Sequence, residues 1–155
     1  MTTQRLSPGP RYPALLQLLR ASEALWNASR VFFARWELSP SQFNVLNLLF
    51  DQPDGLSQAE LSRQLIMHRS NATGLVDRLE TRGLVKRKEN AADRRAYVVV
   101  LTPAGRRLLN QILPHYFRAA ENVWGNFTAS RATDLVTELE RLGANAKRMA
   151  KQISN

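Results

Sequence analysis

The sequence predicts a mainly α-helical fold carrying one small β-hairpin, on three observations. Apolar residues recur at helical spacing through most of the 155 residues. The strongly β-branched run Tyr97-Val98-Val99-Val100-Leu101 follows a shorter run, Leu84-Val85-Lys86-Arg87-Lys88, across a polar segment, which is a hairpin pattern. Ser57-Gln58-Ala59-Glu60, just upstream, has the serine-to-glutamate spacing of a capping box and so marks a helix start.

The elements follow in order. Residues 1–11, with Ser, Gly and Pro and no apolar run, read as a loose tail. Tyr12 to Glu37 reads as a long amphipathic helix whose stripe includes Leu15, Leu18, Leu19, Leu25, Trp26, Phe32, Phe33 and Trp36. Ser39-Pro40 opens the next helix by a cap-then-proline pattern, with Phe43, Val45, Leu46, Leu49 and Phe50 facing a core. Pro53-Asp54-Gly55 is a turn that leaves Leu56 to form a short strand beside the hairpin. The helix opened by Ser57 carries Leu61, Leu65 and Ile66 inward.

After a break at Met67 and His68, the stripe Ala72, Leu75, Val76, Leu79 marks a second short helix that stops at Gly83, a left-handed C-cap. Its other face shows Ser70, Thr73, Gly74, Asp77 and Thr81, flanked by Arg69 and Asn71. These are donors and acceptors suited to base edges, and Gly74 permits close approach of backbone to a groove. The hairpin tip, Glu89 to Arg95, is polar, and Thr102-Pro103 starts a return helix bearing Leu109, Ile112, Leu113, Tyr116, Ala120, Val123 and Phe127, with a bend expected at Pro114. Leu135, Leu139, Leu142, Ala146, Met149 and Ile153 form an a/d seam on the last helix, which either another part of the same chain or a second copy would cover. Two short helices, a hairpin and a return helix make the layout of a winged helix-turn-helix.

Charge placement agrees with that layout. The chain carries a net charge of +9, and between Arg78 and Arg107 nine Lys or Arg stand against three acids. Cations concentrated on a hairpin and its flanks suit phosphate neutralisation and counterion release. With no cysteine, disulfides, thiolate metal sites and cysteine-based peroxide sensing are excluded. His68 and His115 lack carboxylate-rich surroundings, so neither a metal nor a cofactor is expected. No segment approaches the ~20 apolar residues of a membrane span, and a soluble cytoplasmic protein is expected. An enzyme finds no support, since no phosphate-cradling glycine loop, metal cluster or nucleophile-base set is present.

The assembly resembles the MarR family of transcription regulators. The resemblance is carried by Thr73-Gly74-Leu75-Val76-Asp77-Arg78-Leu79-Glu80 with Gly83-Leu84-Val85, and by Asp93-Arg94-Arg95 with Leu101-Thr102 and Gly105. His68 stands where many members open the recognition helix with Ser or Thr, and Ser70 is the alternative cap. The resemblance implies a dimerisation helix at 12–37, a DNA-binding lobe at 38–102, and a linking helix plus C-terminal dimerisation helix at 103–155. It also implies a homodimeric repressor on a palindromic operator, with the helix from about Arg69 to Arg82 in the major groove.

Arg69, Ser70, Asn71 and Thr73 are then the leading contacts, with Gly74 beside them and Gln58 and Ser62 as weaker phosphate contacts. In the wing, Arg95 is expected in the minor groove, Asp93 positions an arginine, and Arg94 and Lys86 to Lys88 hold phosphates. Asp77 needs a cation, from Arg95 or a wing neighbour. Release by a small aromatic or phenolic ligand is expected in a crevice bordered by Trp26, Arg30, Phe33, Trp36 and Phe43, although an aromatic stripe at this spacing serves equally well as core. The competing reading is a ligand-free architectural DNA-binding protein of the same fold, which would bind any duplex alike.

Overall fold

The computed structural model describes residues 8–66, 71–89 and 97–154. Among these residues, six helices and three strands run in the order α1 (Tyr12–Ala34), α2 (Pro40–Phe50), β1 (Leu56–Ser57), α3 (Gln58–Gln64), α4 (Ala72–Thr81), β2 (Val85–Glu89), β3 (Tyr97–Leu101), α5 (Pro103–Trp124) and α6 (Ala129–Ile153). The fold is mainly helical with one small antiparallel sheet, as the sequence predicts. Expectations placed on the tail before Pro8, on His68, Arg69 and Ser70, and on Asp93, Arg94 and Arg95 lie outside the described residues.

Residues 1–110 form one compact unit and residues 111–155 a second. In the first, the sheet order is β1-β3-β2, with Leu56 opposite Val99 and Val85 opposite Leu101. The core is built from Val45, Leu46 and Leu49 of α2, Leu61 of α3 and Leu65 just after it, Leu75, Val76 and Leu79 of α4, and Val85 and Val99 of the sheet, all buried. Phe33 of α1 joins it by stacking on Phe43 of α2, with ring centroids 4.2 Å apart.

Local chemistry sets the element starts. Ser39 accepts from the Gln42 backbone N–H while the Gln42 side chain accepts from the Ser39 backbone N–H, a full capping box before Pro40. Ser57 and Glu60 repeat the device at α3. Thr102 caps α5 by accepting from the Gly105 N–H at 3.0 Å, and its hydroxyl donates to the Gly83 carbonyl at 2.6 Å.

Two helices end in the same way. At α4, the Gly83 N–H donates to Glu80 and the Leu84 N–H to Leu79, with Gly83 at φ +68°, which is a Schellman closure. At α1, the Glu37 N–H donates to Ala34 and the Leu38 N–H to Phe33, with Glu37 itself left-handed at φ +55°. In both, the apolar pair that accompanies the motif, Leu79 with Leu84 and Phe33 with Leu38, is buried. This closure ends α1 at Ala34, three residues before the Glu37 boundary expected from the stripe.

In the second unit, α5 continues through Pro114 to Trp124 as one helix. Gly125 at φ +53° stops it, so Phe127, expected on its stripe, lies in the connection to α6, where its ring packs against Trp124 and under Arg131. α6 has no buried residue, and Leu139, Leu142, Met149 and Ile153 of its seam are exposed.

Candidate nucleic-acid interface

The outward face of α4 is defined by what its inward face buries. Ala72, Leu75, Val76 and Leu79 are turned into the core, so Asn71, Thr73, Asp77 and Arg78 are left exposed. Asn71 occupies the N-cap position but makes no side-chain cap bond. A Cβ at Gly74 would sit 2.6 Å from Asn71 Oδ1 and 3.5 Å from an Arg78 guanidinium nitrogen. Gly74 therefore makes room for the Asn71 amide beside Arg78, a local use of glycine separate from groove approach. Gln58, at the start of α3, donates through its amide to the Thr73 hydroxyl, which ties the leading turn of α4 to α3.

The hairpin strand beside α4 separates its cations by strand alternation. Val85 is buried, Lys86 and Lys88 are exposed on the other face, and Arg87 turns to the Val85 side, toward α4. There its guanidinium donates to Glu80 and, at 2.5 Å, to Asp77 Oδ1, while its backbone N–H donates to Glu80 at 2.9 Å. Asp77, and then Glu80, hold the Arg87 pKa above its ordinary value. Arg87 is thus the wing neighbour that Asp77 requires, and the expectation that Arg87 joins Lys86 and Lys88 on phosphate does not match its orientation.

Two further cations of the basic segment are used internally. Arg82 donates to the backbone carbonyls of Glu37 and Trp36. Arg106 donates to the Phe50 carbonyl at the end of α2, at 3.0 Å, and lies over the Phe50 ring. Phe50 ends α2, and the last carbonyls of a helix have no partner within it and carry the negative end of its dipole, so that site suits a guanidinium. The Trp36 and Glu37 carbonyls lie in the closure just past α1. Arg78, Lys86, Lys88 and Arg107 remain as exposed cations of the segment among the described residues.

The aromatic residues of α1 and α2 divide between interior and surface. Phe33 and Phe43 are each other's stacking partners in the core, Trp26 and Trp36 are half-buried, and Arg30 is exposed. Arg35, not singled out in the sequence, lies 4.3 Å from the Phe32 ring and 4.0 Å from that of Trp36. An arginine three residues after one aromatic and one residue before another, the two aromatics being four positions apart, is a weak sequence signal. Among the described residues, no cluster of three His, Asp or Glu could hold a metal, and no helix is long and apolar enough to cross a membrane.

Comparison with known proteins converges on one group. The sequence profile of the MarR family matches residues 36–96. The HTH-type transcriptional repressor YetL of Bacillus subtilis is 33% identical over 114 residues, covering 73% of this chain and 68% of YetL. Among solved structures, BpsR of Bordetella bronchiseptica, whose DNA binding is regulated by 6-hydroxynicotinic acid, superposes with a TM-score of 0.78 at 23% identity, covering 89% of this chain and 98% of BpsR. CouR of Rhodococcus jostii RHA1, bound to p-coumaroyl-CoA, gives 0.77 at 24% identity, covering 88% of this chain and 95% of CouR. With a helix pair joined by Gln58 and Thr73, a wing fastened at Arg87 and this sequence relationship, the chain belongs to the MarR family of winged-helix transcription regulators, which are DNA-binding proteins and not enzymes.

Proposed function

We propose that the protein is a homodimeric repressor that reads a palindromic operator with α4 and leaves it when a small aromatic or phenolic ligand binds. The observation that carries the DNA reading is the exposed row Asn71, Thr73 and Arg78 on a helix whose opposite face is buried, next to exposed Lys86 and Lys88 on the wing. Asn71 suits adenine, and the lysines suit phosphate. On the family pattern, Arg69 and Ser70 are also assigned to base or phosphate contact, Arg95 to the minor groove, Asp93 to positioning an arginine and Arg94 to phosphate. Dimerisation is supported by the uncovered seam of α6 and by exposed Tyr12, Leu15, Leu19 and Leu25 on α1.

The effector reading is supported by the ligands of BpsR and CouR. Trp26 and Arg30 on α1, with Trp36 just past its end, offer half-buried aromatic surface and an exposed guanidinium, while Phe33 and Phe43 stack on each other in the core. Such a site takes an aromatic carboxylate or phenolate through its charge and its ring.

Selection from a random duplex library followed by footprinting tests the proposal. The expected result is one protected inverted repeat with half-site centres about one helical turn, ~10 base pairs, apart. Uniform protection of any duplex would instead indicate an architectural protein. Titration with a panel of aromatic carboxylates and phenols should release the selected duplex, and a panel without effect would remove the ligand from the proposal.

A further inference from the structure

We propose that Arg87 sets the selectivity of the reading head by fixing the wing to α4, and makes no phosphate contact itself. The inference rests on the DNA-binding reading above. Its ground is a three-point fastening: Arg87 holds Asp77 and Glu80, one helical turn apart on α4, through its guanidinium, and holds Glu80 again through its own backbone N–H on β2. A guanidinium presents donors in a rigid planar fork, so bridging two carboxylates fixes direction as well as distance. Because β2 is a strand of the wing, the angle between β2 and α4 decides how β2 approaches DNA when α4 is seated in a groove.

The same contact answers an electrostatic problem. Asp77 is exposed on the face that also presents Thr73, where a bare carboxylate would repel phosphate. Arg87 neutralises it from the side, and with Glu80 also engaged the guanidinium is committed to carboxylates. Lys86 and Lys88, pointing the other way on the same strand, carry the counterion-release part of binding. Adjacent cations on one strand thus divide the work, two gripping the backbone and one holding geometry.

Since all three side chains are partly exposed, at 26% for Arg87, 56% for Asp77 and 37% for Glu80, the pairing contributes little to folding. Arg87→Gln should lower the melting temperature by no more than a few degrees. The decisive measurement compares binding of the full-length protein to a duplex enriched from a random library by the wild type with binding to a scrambled duplex of equal composition, each at several salt concentrations. Arg87→Gln should reduce the affinity ratio between the two by about tenfold, the size of one good base-edge contact, and leave the slope of log affinity against log salt unchanged. Lys86→Gln should weaken both duplexes alike and reduce the slope by about one.

Arg87→Lys, with one ammonium for two carboxylates, should recover part of the ratio. Asp77→Asn with Glu80→Gln should lower the ratio while steepening the slope, because the released Arg87 becomes available to phosphate. A slope reduced by about one in Arg87→Gln, or a ratio unchanged by it, overturns the proposal and leaves the DNA-binding reading standing. If the wild type itself shows no preference for the enriched duplex, the selective reading fails first and leaves no selectivity for Arg87 to set.

Discussion

The guanidinium of Arg82, the C-cap of α4, reaches the closure just past α1, donating to the backbone carbonyl of Glu37 at 2.6 Å and to that of Trp36 at 3.2 Å. Each partner belongs to a Schellman closure, so the C-terminal stop of one helix is fastened to that of another. The ion pair with the Glu37 carboxylate is long, 4.0 Å, and that carboxylate is 90% exposed, so the carbonyl bonds matter more. Arg82→Met, which keeps much of the stem, should cost about 1 kcal/mol after discounting a charged hydrogen bond for partial exposure. Urea denaturation checks it, and an unchanged midpoint would mean that water replaces the guanidinium without loss.

Glu37 is the weak partner of that closure. A non-glycine residue in the left-handed region costs roughly 1–2 kcal/mol, and glycine returns part of that gain as chain entropy, roughly 0.5–1 kcal/mol. Glu37→Gly leaves its backbone carbonyl in place for Arg82 and should stabilise the protein by about 0.5 kcal/mol. A lower denaturation midpoint would show that the Glu37 side chain contributes more than its exposure implies.

Gly105 and Gly83 should respond to alanine in opposite order to what their backbone angles suggest. Gly83 has the unusual φ, +68°, but open space around a Cβ, so Gly83→Ala should cost about 1 kcal/mol of strain. Gly105 lies in α5, yet a Cβ there would meet the Leu84 carbonyl oxygen at 2.1 Å, a backbone atom that cannot rotate away. Gly105→Ala must push the first turn of α5 away from Leu84 and should cost about 3 kcal/mol, the upper end of overpacking. Thermal denaturation of the two variants gives the order directly, and equal losses would contradict the assignment of cause.

Those contrasts mark what the sequence made legible. The Gly83 closure was readable because glycine advertises the left-handed position, whereas the identical closure at Glu37 carries no such residue and α1 therefore read three positions too long. Capping boxes at Ser57 and helix starts at Ser39-Pro40 and Thr102-Pro103 were legible because each depends on residues within one turn. The basic segment was legible as a sum but not in its parts. Arg82, Arg87 and Arg106 find partners 46, 10 and 56 positions away, and tertiary placement alone reveals that they serve the fold.

Acidification should weaken the cap of α3. The Glu60 pKa lies below its ordinary value because the carboxylate accepts from the Ser57 hydroxyl and backbone N–H. A carboxylate whose folded pKa is depressed contributes stability present above its unfolded pKa and lost as pH falls through the folded one. The melting-temperature advantage of the wild type over Glu60→Gln should therefore be full at neutral pH and shrink through the acid range below the ordinary carboxylate value. A difference independent of pH would mean that the cap works through its shape alone.

The last helix gives the test of assembly. Leu139 and Leu142 are 39% and 42% exposed on a helix without one buried residue, and they recur with Met149 and Ile153 at the spacing of a coiled-coil seam. Burying a leucine is worth roughly 1.5–3 kcal/mol, so a seam of this length left in water forgoes more than a marginally stable protein readily spares. On the proposed dimer, a second copy of the chain would supply the matching seam, since two-fold pairing lets one surface cover itself. Sedimentation equilibrium at micromolar concentration should give a dimer for the wild type. Leu139→Glu with Leu142→Glu should give a monomer or an insoluble protein, because burying the new carboxylates costs more than the leucine contacts supplied. A soluble double variant that remains dimeric would place the interface elsewhere, and a well-folded wild-type monomer would remove the dimer from the proposal.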